Sequence, residues 1–225
     1  MGLASFRAPF DQRPSPHLPA DGAVIRGAVI VSDKLARLPL LTCRRATLRD
    51  LRPADAPALV RLLTTEEVTR FISPPPTSVE GFERFVTWAH AQRATGHYMC
   101  FAVVPHGGET AAGIIQVRQL EEGFGTAEWG FVLGPAFWGT GLFVEAAELV
   151  LAFAFDSVGV HRLEARTAVA NGRGNGALRK LGARREAILR ESFCRGGRRL
   201  DQILWSILDE DWRRAKASRR PRADT

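Results

Sequence analysis

From Thr42 onward the hydrophobic and polar positions follow distinguishable periods. The stretch "TCRRATLRDLRPAD" alternates as a short strand and stops at Pro53 and Asp55, where a helix N-cap is expected. The next segment, 56–63, is helical by spacing, with Leu59, Leu62 and Leu63 on one face. A proline-broken loop, "FISPPP", then leads to a helix opened by Thr77 or Ser78, with Phe82, Phe85, Val86 and Ala89 at helical spacing and Gly96 at its end. "HYMCFAVV" and "AAGIIQVRQL" read as two strands around a turn at 106–108, and "GTAEWGFVLG" as a third. A long helix follows Gly141, then the strand "HRLEARTA", the short helix "GNGALRKLG", and the strands "REAILRESF" and "LDQILWSIL" around an "RGGR" turn. The order strand, two helices, three strands, helix, strand, helix, two strands predicts an α/β (α+β mixed) fold, a mixed sheet with helices on its faces.

The two ends differ from this middle. Residues 1–40 carry Pro14, Pro16 and Pro19 among scattered polar residues, which predicts an extended arm. One domain over 41–212 and a basic tail over 213–225 complete the expected organisation. The net charge of +7 belongs to the ends: the segment "WRRAKASRRPRADT" holds six basic side chains and one acidic, whereas 41–211 is electrically balanced. The tail is therefore expected to be a solvated, disordered segment able to touch a polyanion such as RNA of a ribosome. The apolar runs of "GAVIRGAVIVSD" are short and split by Arg26, so neither a secretory signal nor a membrane span is expected. Cys43, Cys100 and Cys194 are too few and too scattered for a disulfide framework, and the five histidines show no ligand spacing, so the expected setting is a reducing cytoplasm without a metal.

Candidate chemistry centres on "GPAFWGTGLFVEAAELVLAFAF". Gly139 and Gly141 let backbone pass close to a ligand at a helix N-terminus, where unpaired N–H groups and the helix dipole attract anions. A nucleotide P-loop would need a lysine where Leu142 stands, and a dinucleotide fingerprint a small residue at Val144. On spacing alone, a tight turn without a ligand is an equally good reading.

Several spaced motifs in one order say more. "LRDLRPADAPALVRLL", "FVLGPAFWGTGLFVEAAELVLAFAF", "GVHRLEARTAVANGRGNGALRKLGARREAILRES" and "GGRRLDQILWSIL" together resemble the GNAT acyltransferase superfamily, in the branch that includes acetyltransferases of ribosomal-protein N-termini. That resemblance implies a sheet splayed near its middle, with the pantetheine arm of acetyl-CoA in the split beside Phe131, Val132 and Leu133. It also implies a pyrophosphate loop made of Trp138, Gly139, Thr140, Gly141, Leu142 and Phe143. Trp138 departs from the general pattern, and Phe143 stands where a small residue is usual; its ring either crowds the cofactor or turns into the core with Ala147, Val150 and Ala154. Asn171 sits where the family holds the pantetheine arm, and is otherwise a turn asparagine. Arg173, Arg179 and Lys180 either face phosphates or lie on a solvated helix face.

The implied reaction is direct transfer of acetyl from acetyl-CoA to a primary amine, on a protein N-terminus or a small molecule. Such chemistry needs a neutral amine, donors for the oxyanion and a proton for the departing thiolate. Near pH 7 an α-amine of pKa about 8 is roughly a tenth neutral, whereas a lysine side chain is neutral in under about one molecule in a thousand. Glu128 matches an acidic position of this branch and is the candidate base; its alternative is a strand carboxylate paired with arginine. Ser192 is the candidate near the acceptor end, with Cys194 beside it, and turn hydrogen bonding as the alternative for both. Tyr98 lies on an earlier strand than the family's usual tyrosine, and Asp201 is expected to tie the last strands together. The competing functions are a non-catalytic acyl-CoA sensor of the same fold and a polyanion-binding protein.

Overall fold

The structure, a computed structural model, describes residues 37–218. Strands β1 (Leu41–Thr42) and β2 (Ala46–Asp50) precede a 3-10 turn (Pro53–Asp55) and the helices α1 (Ala56–Leu63), α2 (Glu66–Thr69) and α3 (Val79–Ala94). Three strands follow, β3 (Tyr98–Pro105), β4 (Gly113–Gln119) and β5 (Thr126–Leu133), and then helix α4 (Leu142–Ala152). The remainder is β6 (Arg162–Ala168), α5 (Gly172–Lys180), β7 (Arg184–Arg195), β8 (Arg198–Leu208) and α6 (Asp209–Ser218). The strands form one eight-stranded mixed sheet in the order β1-β2-β3-β4-β5-β6-β8-β7, so the expected α/β architecture is observed.

Helices cover both faces. On one, α1 and α3 pack over β3, β4 and β5, and Trp88 meets Tyr98 edge-on at 5.0 Å. On the other lies α4, where Phe131 meets Phe143 at 4.2 Å with the rings tilted by 38°, and the π turn that continues the helix (Phe153–Val158) brings Phe153 to Phe101 at 5.8 Å. This double cover explains why β3 and β5 are almost continuously apolar and buried, whereas the edge strand β7 is mostly exposed.

One pairing shapes the whole sheet. Strands β5 and β6 run parallel and pair only at Thr126↔Arg162, Ala127↔Leu163 and Glu128↔Glu164. Beyond Glu128, β5 continues to Leu133 on β4 alone, and β6 continues to Ala168 on β8 alone. The sheet therefore forks in its middle, and buried backbone on both sides of the fork lacks a strand partner.

Three elements differ from expectation. A two-residue strand precedes the first predicted one, and a four-residue helix, α2, occupies the stretch before the proline loop. The C-terminal tail begins as helix α6 and is not a solvated coil through Ser218. Its acidic first turn (Asp209, Glu210, Asp211) suits the positive end of the helix dipole and pairs forward, Asp209 with Arg213 at 3.1 Å and Asp211 with Arg214 at 2.9 Å. Lys216 reaches Asp156 at 2.8 Å. These basic groups are compensated within the domain. The expected arm over 1–40 lies outside the described residues except for its last four, as does the tail beyond Ser218. Among the described residues no helix is long and apolar enough to cross a membrane.

The turn into α1 is held by a buried carboxylate. Asp55 receives both Arg49 terminal nitrogens at 2.8 Å and the backbone N–H groups of Arg52 at 2.9 Å and Ala111 at 3.0 Å. Burial pushes its carboxyl up, but the Arg49 hydrogen bonds and the two backbone donors outweigh it and leave the pKa below the ordinary 3.8. The stabilisation is thus fully present above that ordinary value and is lost as pH falls through the lower, folded one. Asp55→Asn should cost about 3 kcal/mol at pH 7, as for a broken buried ion pair. In urea melts of both forms the difference should shrink as pH drops below about 4; a gap that persists unchanged to pH 2 would contradict this.

Candidate active site

The turn between β5 and α4 lies at the open end of the fork. Gly139 and Gly141 both adopt left-handed backbone, φ 75° and 84°, which any side chain would strain. A Cβ added at Gly139 would meet nothing within 4 Å, so this backbone faces open space. Helix α4 starts at Leu142, and its first internal bond runs from Glu145 N–H to the Gly141 carbonyl at 3.3 Å. Among the described residues the N–H groups of Phe143 and Val144 have no hydrogen-bond acceptor, and Leu142 N–H reaches only the Thr140 hydroxyl at 3.3 Å. The turn is anchored by Trp138, whose indole N–H donates to the Leu133 carbonyl at 2.8 Å.

Two cavities adjoin this turn. One, of about 370 Å³, is lined by Trp138, Gly139, Gly172, Arg173, Gly176 and Lys180. The other, of about 380 Å³, is lined by Glu67, Arg70, Phe71, Trp138, Asn171 and Arg173. They meet at Trp138, Gly172 and Arg173. Along α5 the residues Gly172, Gly176 and Lys180 recur every fourth position, so two missing side chains leave room and a cation ends the stripe. A further cavity, about 660 Å³, lies elsewhere, between α4 and α6, and holds none of the expected site residues.

The other expected cofactor contacts sit as follows. Phe131, Val132 and Leu133 are buried on β5 at the fork, so their side chains belong to the core and only backbone is left for a ligand. The same holds for Phe143: its ring is 1% exposed against Phe131, which decides the sequence alternatives in favour of the core. Leu142 is buried as well. Asn171 is buried and its side-chain oxygen accepts the Gly174 N–H at 3.0 Å, capping α5.

Glu128 occupies the last paired position before the fork. One of its oxygens accepts from Arg118 at 2.5 Å and the other from Arg166 at 2.7 Å. Arg166 also reaches Glu164 at 3.2 Å; Glu164 accepts from Arg162 at 2.9 Å, and Arg162 donates to Glu186 at 2.8 Å. This chain of alternating charges crosses the fork from β4 through β5 and β6 to β7. Arg162, with help from the Ser206 hydroxyl, holds the Glu186 carboxyl at a pKa of about 2. Glu128 is thus paired with arginine on both sides, and it lines neither cavity at the turn. Ser192 is exposed in the bulge of β7, where its hydroxyl meets the Leu189 carbonyl at 3.0 Å and Gln202 at 3.1 Å. It too is absent from both cavities. Asp201 accepts the Glu191 N–H at 2.8 Å across the same hairpin. Tyr98 donates to the Gln116 side chain, and burial raises its pKa well above 10.

Reasoning from sequence missed Glu67, Arg70 and Phe71, which reach the site from α2 and the loop behind it. Nothing local marks them, since a four-residue helix has no readable period. Arg45 was also missed: it lies 3.5 Å from where a Gly141 Cβ would stand and pairs with Glu145 at 2.8 Å.

The site is thus a mixed sheet forked between two parallel strands, with a glycine turn and a helix N-terminus at its mouth. The chain belongs to the GNAT acetyltransferases, the Acetyltransferase (GNAT) domain model matching residues 45–184. It is 25% identical over 173 residues to the uncharacterized N-acetyltransferase p20 of Bacillus licheniformis, covering 76% of this chain and 97% of that one. A GCN5-related N-acetyltransferase from Brucella melitensis shares its fold at TM-score 0.68 and 24% identity, over 80% of this chain and 83% of that one. Mycobacterium smegmatis RimJ, solved in complex with CoA-disulfide, does so at TM-score 0.68 and 21% identity, over 77% and 88% of the two chains.

If Phe143 is a core residue, Phe143→Ala should lower stability by about 3 kcal/mol, as for a buried ring removed from a packed interior, with little change in affinity for CoA. Melting curves and calorimetry on both forms check this; a large gain in affinity at unchanged melting temperature would make the ring a plug.

Proposed function

We propose that this N-acetyltransferase moves acetyl from acetyl-CoA to a primary amine, on a protein N-terminus or a small molecule, by direct attack on the thioester. The observation that carries the reading is the fork: the edge of Trp129–Leu133 that faces β6 lacks a strand partner, next to a turn whose amides are free to meet an anion. The residues fit the group. The Gly139–Phe143 backbone suits a pyrophosphate, Arg173 and Lys180 suit its charge, and the open edge of β5 suits the amides of the pantetheine arm. The CoA-disulfide bound by the Mycobacterium smegmatis neighbour supports the same assignment. When bound, acetyl-CoA supplies the activated acyl carbon. The chain's own part is to align it along β5, to exclude water with Trp138 and the α2 loop, and to present the amine from the second cavity.

Glu128 is assigned here to holding the fork and not to taking the proton. Both its oxygens already accept from arginine, so the carboxylate is engaged in joining the strands on either side of it. An α-amine, roughly a tenth neutral near pH 7, can lose its proton to solvent. This favours α-amines, including those of ribosomal proteins, as the first acceptors to try.

The direct test is thiol release from acetyl-CoA over a panel of N-terminal peptides, polyamines and small amines. Turnover with at least one amine is expected; binding without turnover over the whole panel would instead mark a sensor. Gly141→Val should weaken CoA binding and also cost about 1–3 kcal/mol of stability, because a β-branched residue is strained at this left-handed position; equal affinity of the two folded forms in calorimetry would remove the turn from the site. Glu128→Gln should lower stability by about 2–4 kcal/mol and leave the shape of the pH–rate profile unchanged. A stable variant whose kcat falls at pH 7 and recovers toward the pKa of the amine would make Glu128 the proton acceptor.

A further inference from the structure

We propose that Glu67 seats the ammonium group of the acceptor and is released for this task when the phosphates of the cofactor draw Arg173 away from it. The inference rests on the acetyl-CoA reading above and goes beyond it by assigning an acceptor contact and an order of binding.

Arg173 stands where the two cavities at the turn meet, and it is held from two sides. Its guanidinium lies 4.5 Å above the Trp138 ring, and one of its nitrogens reaches Glu67 on α2 at 3.1 Å. Trp138 is itself fixed to the end of β5 by its bond to Leu133. The ion pair therefore spans the mouth of the fork, joining helices that lie 106 residues apart in the chain. Both partners are more than half exposed, so the pair is weak and can be exchanged for a better one.

The two cavities differ in what they offer. The first contains Arg173, Lys180 and the glycine backbone and no acidic group; it is built for an anion. The second contains Glu67 as its only carboxylate, together with Phe71 and Arg70, whose guanidinium lies 5.2 Å over the Phe71 ring. A pyrophosphate in the first cavity presents Arg173 with more negative charge than a single carboxylate does, and a short swing off Glu67 satisfies it. Glu67 is then a carboxylate without its cation, in the cavity from which the amine must approach. An ammonium is the group that replaces the lost charge. Cofactor and acceptor thus help each other bind, and the coupling must be reciprocal.

The test uses the full chain and calorimetric titration with CoA, with Glu83→Gln on the exposed face of α3 as a control for net charge. Glu67→Gln should bind CoA about two- to fivefold more tightly than the parent, because Arg173 no longer has to leave a carboxylate. Arg173→Ala should bind CoA about tenfold more weakly, and adding Glu67→Gln to it should change nothing further. In turnover, Glu67→Gln should raise the KM for the amine several-fold with kcat retained. Unchanged or weaker CoA binding by Glu67→Gln, or an equal gain in the Arg173→Ala background or in the control, would overturn the coupling. A parent chain that does not bind CoA at all would overturn the acetyl-CoA reading itself.

Discussion

The three-residue pairing of β5 with β6 is the constraint from which the rest of the site follows. Adjacent parallel strands ordinarily pair along their shared length, and here they part after Glu128 although both continue, fully structured, on their other neighbours. Parting leaves backbone N–H and C=O groups in a buried position without a strand partner, which is unfavourable unless something else satisfies them. A ligand with amides of its own does so along the length of a strand. On the proposed reading, binding completes a sheet and does not fill a pit.

What holds the fork at Glu128 is charge as well as packing. Arg118, Glu128, Arg166, Glu164, Arg162 and Glu186 alternate in sign across four strands, with each carboxylate between arginines or beside a hydroxyl. Such a row fixes strand register at the apex, where a slip of one residue would turn every side chain to the opposite face. On the other face the contacting rings of Phe131 and Phe143 tie β5 to the start of α4. The large ring at Phe143 thus sets the position of the helix whose first amides face the mouth of the fork.

Much of this was legible in the chain, for reasons that can be named. The strands and helices of the middle appear as periods of two and of 3.6 because one face of each must be buried, and the glycine turn appears because positive φ demands glycine. Phe143 was readable only as two alternatives, since its helical spacing with Ala147 and Val150 competes with its place in the loop. The partners of Glu128 were not legible, because Arg118 and Arg166 meet it through strand register and not through sequence spacing. Glu67 was invisible for the same reason, 106 positions from Arg173 and on a single helical turn. The tail misled because its arginines were counted without the acidic turn before them, which makes the segment a helix and neutralises part of its charge.

Amide hydrogen exchange with and without CoA tests the central claim, that the fork is the cofactor slot, most directly. Slower exchange on adding CoA is predicted for the backbone of Trp129–Leu133 and for Gly139–Val144, the strand edge and the turn that lack partners in the free chain. Protection confined instead to the segments around Leu149 and Trp212, which flank the larger cavity of about 660 Å³, would place the cofactor on the opposite side of α4 and contradict the claim.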